Sequence, residues 1–163
     1  MTSLTPLLAV SRPAFDDSAF PVVLLAGAGA QGHAFAWGAT MRRLLARKQP
    51  FVIVQGSDRA IEHPDDRRAR RCWIRAHATG LQTYCLGLVA VEPDIERRSR
   101  TRLSLSELVE PLALRVLVVS TEALARQLAD VLLMGARPVV TAPVGDGGNE
   151  RRGAALRRLV SVR

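Results

Sequence analysis

Four short, unbroken apolar runs rich in valine set the tightest limit on how this chain can fold. They occupy residues 21–26, 51–54, 86–91 and 116–119. A strand with one wet face alternates apolar and polar positions, whereas a strand covered on both faces reads as a continuous apolar run. Stretches of helical period lie between the runs. Ala34, Trp37, Met41, Leu44 and Leu45 form one stripe, with Arg42, Arg43 and Arg47 facing away. Pro64 suits a first helical position and Asp65 and Asp66 suit the positive end of a helix dipole. Ala69, Cys72, Trp73, Ala76 and Gly80 then follow as that helix's expected apolar stripe. Thr121 is an expected N-cap for a last helix with the stripe Leu124, Leu128, Val131 and Leu132 and a stop at Gly135.

The third connection is less regular. Residues 94–102 are heavily charged, and Ser104 with Glu107 reads as a capping box opening a short helix that ends near Pro111. Residues 4–10 offer an edge strand ahead of a turn over 13–20. Strands alternating with helices imply an α/β fold: four βα repeats, a mainly parallel sheet with helices on its faces, and an antiparallel N-terminal edge strand. The pattern stops after residue 135. Pro138, Pro143, Gly145, Gly147 and Gly148 read as a linker, followed by Arg151, Arg152, Arg157 and Arg158. The expected organisation is one domain over 1–135 and a flexible basic tail over 136–163.

With 163 residues, 48% of them apolar, the chain can build one ordinary core. No apolar run approaches the roughly 18–20 residues of a bilayer span. Residues 1–10 lack the basic flank and long apolar centre of an export signal. The expectation is a soluble, cytoplasmic protein. The net charge of +8 is carried by arginine, with Lys48 alone as lysine. Half of it lies beyond residue 135, where six arginines against Asp146 and Glu150 leave +4. Such a balance favours acidic partners, nucleic acid among them through the tail. Cys72 and Cys85 have neither disulfide nor zinc spacing and read as small buried apolar groups.

Three features resemble chemistry. Gly27, Gly29 and Gly32 form a Gly-x-Gly-x-x-Gly between an expected strand and an expected helix, the setting of a dinucleotide pyrophosphate site. The acid expected at the tip of the next strand is missing, because that tip is Gln55, Gly56 and Ser57 and Asp58 lies beyond it. A Gly-rich turn is the plainer reading, and an NAD-type site the alternative. The second feature is the arginine cluster Arg67, Arg68, Arg70, Arg71 and Arg75, read as a solvated helix face with Asp66 and Arg70 paired at i, i+4. The third is Glu62, His63, Asp65 and Asp66 at a strand-to-helix mouth, read as helix capping rather than catalysis. No nucleophile motif, Walker loop or metal spacing accompanies them.

The segments resemble the SpoIIAA-like, STAS-like bacterial family of anti-sigma-factor-antagonist folds over residues 20–134. The resemblance rests on Pro50 to Val54 entering a strand, Arg67, Arg68, Trp73 and Ile74 on the next helix, and Tyr84 to Val91 running into the third strand. Pro93 with Arg97 and Arg98, then Arg115 to Val119 with Thr121 to Ala123, complete it. It implies a small regulatory domain that binds a protein partner and has no catalytic residues, cofactor or metal. His63 and Pro64 stand where the antagonists carry an Asp-Ser pair, so no phosphoserine switch is implied. The expected partner-binding residues are Arg68, Arg71, Arg97 and Arg98. A basic nucleic-acid-associated protein is the further alternative.

Overall fold

The computed structural model describes residues 15–25, 33–57 and 62–136. Five strands, β1 (Phe15–Asp16), β2 (Val22–Leu25), β3 (Phe51–Gln55), β4 (Cys85–Val91) and β5 (Val116–Val119), form one sheet. The helices are α1 (His33–Ala46), α2 (Pro64–Ala76), α3 (Ala78–Tyr84), α4 (Ile95–Val109) and α5 (Glu122–Met134), with a 3-10 turn over Glu110–Leu112. The sheet runs in sequence order, antiparallel at the β1–β2 edge and parallel elsewhere. The chain is therefore α/β with a mostly parallel sheet, as the valine runs require.

Sequence order across a parallel sheet has a consequence for the layers. Right-handed crossovers that always step the same way leave their helices on one face. Trp37, Met41 and Leu44 of α1, Ile74 of α2, Leu81 of α3 and Val109 of α4 all join one core with Val23, Phe51, Ile53, Cys85 and Leu88. The alternate strand residues Val52, Val54, Val89, Val91 and Val119 face the other way and pack against Ala125 and Ala129 of α5. Both faces are thus covered, four helices on one side and α5 on the other. Phe51, Met41 and Leu44 are completely enclosed, each contributing roughly 1.5–3 kcal/mol relative to exposure.

Several expectations need correction. The irregular third connection is one continuous helix, α4, capped by Asp94, whose Oδ1 accepts from the backbone N–H of Glu96 at 2.8 Å. Ser104 lies inside it and opens nothing. The stretch read as one helix after Pro64 divides at His77 into α2 and α3. The buried line of α2 is Asp66, Arg70 and Ile74, so Ala69, Cys72 and Ala76 lie on the outside. Cys72 is exposed, and only Cys85 of the two thiols is buried. On α5 the sheet-facing line is Ala125 and Ala129, which lets the helix settle closely on the valine-rich strands, while Leu124 and Val131 are exposed. The two-residue β1 falls where a turn was expected. Residues 4–10, the glycine-rich turn and the tail from residue 137 lie outside the described residues. Among the described residues, no helix is long and apolar enough to cross a membrane.

Candidate functional site

The sequence before α2 dictates where that helix starts. His63 takes an extended conformation and its Nδ1 accepts from the Asp65 N–H at 3.3 Å, Pro64 occupies the first turn, and Asp65 and Asp66 follow. His63, Asp65 and Asp66 therefore serve the helix start, as expected, whereas Glu62 does not cap it and meets Arg70 instead. Asp66 does more: its Oδ1 accepts from the Ala34 N–H of α1 at 3.3 Å, so one carboxylate serves the positive ends of two helices.

Arg70, one turn further on, belongs to the interior rather than to a solvated face. Only 7% of its surface is exposed. Its Nη2 meets Glu62 Oε1 at 3.0 Å, a close ionic contact without hydrogen-bond alignment. Its guanidinium lies 5.1 Å over the Trp37 ring. Burial lowers the Arg70 pKa, and the carboxylates of Glu62 and Asp66 oppose that shift. Around it runs an aromatic row: Trp37 meets Trp73 edge-on at 5.1 Å, and Trp73 stacks on His77 at 3.9 Å. A cation held by a carboxylate and an indole ties α2 to α1 and to the segment that precedes α2.

A cavity of about 40 Å³ lies beside Arg70 and Gln55, walled by apolar side chains including Trp37, Ile53, Leu88 and Leu105. Cofactor pockets run to roughly 300–1,000 Å³, so this space suits a water or two and no nucleotide. Among the described residues the sheet has no reversal of strand order either, and such a reversal creates the crevice in which open α/β sheets hold dinucleotides. Gln55 ends β3 where the ribose-binding acid would stand. Gly27, Gly29 and Gly32 lie outside the described residues. Among the described residues no group of three His, Cys, Asp or Glu side chains is placed to hold a metal ion.

The outer face of α2 is different in kind. Arg67 is anchored, its Nη2 donating to Ser104 Oγ at 3.2 Å and lying 3.7 Å from Glu107. Arg68, Arg71 and Arg75 are exposed, and no acidic side chain among the described residues is within ion-pair distance of them. With Pro64, Arg67 and Cys72 they line a shallow depression of about 350 Å³. Sequence reading placed Arg68 and Arg71 correctly on this face but included Arg70, which points inward.

Arg97 and Arg98 are brought to a separate place, the first turn of α4. Arg97 Nε lies 3.3 Å from the capping Asp94. Arg98 donates through Nε to the Glu92 carbonyl and through Nη2 to the Pro93 carbonyl, both at 2.9 Å. Ser104, where α4 meets Arg67, is seven residues from Arg97, about 10 Å along the helix. Both arginines have local structural partners, whereas Arg75, expected in the arginine cluster but not among the partner-binding residues, has none of that kind among the described residues and joins Arg68 and Arg71. Spacing carried the signal: 68, 71 and 75 fall at i, i+3 and i+7. No family model, no curated protein and no solved structure matches this chain.

Proposed function

We propose that this protein is a non-enzymatic interaction module that binds an acidic protein partner through the outer face of α2. Its domain reads as four βα repeats resembling the SpoIIAA-like, STAS-like proteins, and the strand order β2-β3-β4-β5 with a helix after each strand supports that reading. One observation carries the proposal. Of five arginines on α2, Arg67 and Arg70 have carboxylate partners, and Arg68, Arg71 and Arg75 share one exposed depression without any among the described residues. Like charges three and four residues apart repel by a few tenths of a kcal/mol per pair, a cost that an acidic partner removes. Arg70, by contrast, is enclosed between Glu62 and Trp37 and is not offered to a partner.

The test is affinity capture from nuclease-treated native lysate at physiological salt, comparing the wild-type chain with Arg68→Glu/Arg71→Glu. The expected result is a stoichiometric protein retained by the wild type and lost from the variant. Equal retention by both, or retention only while nucleic acid is intact, would overturn the reading.

A further inference from the structure

Resting on that reading, we infer that the α2 depression receives a phosphomonoester, the phosphorylated side chain of a partner protein, rather than a run of carboxylates. Arg68, Arg71 and Arg75 rise along α2 in two steps of about 4.5 and 6 Å, so the guanidinium arms of neighbouring turns reach a common point. Each arm is a rigid fork of N–H donors. One carboxylate satisfies one fork, whereas a phosphate group offers three acceptor oxygens and nearly two negative charges at a single position. Three unmatched forks around one space of about 350 Å³ therefore suit a phosphate better than a glutamate. Arg67 gives this space a fixed wall, because Ser104 and Glu107 of α4 hold it from the other side. The small side chains of Pro64 and Cys72 leave the three longer arms room to close over a ligand.

The same surface is poorly suited to nucleic acid. Among the described residues no aromatic side chain lines it, so none of them offers an unpaired base a stacking surface. The nearest indole, Trp73, is turned inward between Trp37 and His77.

The experiment uses the full chain with three fluorescein-labelled pentapeptides, Gly-Ala-X-Ala-Gly, in which X is phosphoserine, glutamate or serine, read by fluorescence anisotropy. The phosphoserine peptide is expected to bind about tenfold or more tightly than the glutamate peptide. Inorganic phosphate should displace it. Arg68→Gln/Arg71→Gln/Arg75→Gln should abolish the difference, and Arg126→Gln on α5 should leave it intact. Equal affinity for the phosphoserine and glutamate peptides would overturn the inference, as would a triple variant that still prefers phosphoserine. So would an oligouridylate that binds the same three arginines more tightly than the phosphopeptide. Phosphatase treatment of the lysate separates this inference from the module reading. A partner retained equally before and after treatment refutes the phosphate requirement and leaves the module standing; a partner lost on treatment supports both.

Discussion

Arg70 Nη2 and Glu62 Oε1 lie 3.0 Å apart, and the same guanidinium sits over the Trp37 ring at 5.1 Å. Removing one member of such a pair strands the other charge where water barely reaches. Arg70→Met should cost about 3 kcal/mol, the low end for a broken buried pair because the Glu62 side chain keeps 19% exposure. The companion Arg70→Met/Glu62→Gln should recover a good part of that loss. Urea unfolding of both variants measures it, and equal destabilisation would show that the pair is not what Arg70 contributes.

The two thiols should behave oppositely. Cys85 is enclosed and burial pushes its pKa up to about 12, while Cys72 is exposed on the outer face of α2. A disulfide reagent at pH 8 should label one thiol per folded chain and two after denaturation. Stability carries the same signature. The unfolded thiol ionises near its ordinary value of 9.0 and the folded one does not. The contribution is therefore whole below pH 9 and is lost between pH 9 and about 12, at about 1.4 kcal/mol per pH unit. Cys85→Ala should flatten that part of the profile.

Gly38 of α1 lies close against Trp73 of α2. A Cβ there would stand 3.1 Å from both Cδ1 and Nε1 of Trp73. The indole has little freedom to retreat, being held edge-on against Trp37 and face-on against His77. Gly38→Ala should lower stability by roughly 1–3 kcal/mol despite its better helix propensity. A near-UV circular dichroism change from the displaced indole should accompany the thermal shift.

Arg68→Glu/Arg71→Glu should unfold at the wild-type midpoint to within about 0.5 kcal/mol, because both side chains are exposed and make no ion pair with the described residues. Capture of the partner should nevertheless fail. A variant that loses both binding and stability would place these arginines in the architecture.

The strands were legible because a strand buried on both faces has no option but to be apolar throughout. Residues 51–54 and 116–119 fix β3 and β5 to within a residue. The inward face of α2 was not legible by the same rule. Periodicity counts apolar residues, and here the buried line is Asp66, Arg70 and Ile74, two charges made tolerable by partners that no local pattern reveals. Glu62 is eight residues from Arg70 and Trp37 is on another helix. α4 misled in the opposite direction. Its first half, Ile95 to Leu103, is largely exposed, so its charged sequence shows no apolar stripe, and Ser104 with Glu107 imitates a start inside a helix begun at Asp94. For the candidate site, spacing gave Arg68 and Arg71. It could not tell them from Arg97 and Arg98, whose carbonyl and carboxylate partners are visible only in three dimensions.

Among the described residues α5 alone packs on one side of the sheet, and it follows all five strands. During synthesis Val52, Val54, Val89 and Val91 must therefore wait for the packing that α5 gives them until that helix leaves the ribosome. A nascent chain stopped short of α5 would present a valine-rich surface to its neighbours, the kind of intermediate that chaperones shield. Codon or truncation changes near residues 122–134 should for that reason affect soluble yield more than equal changes in α4, whose own face is one of four.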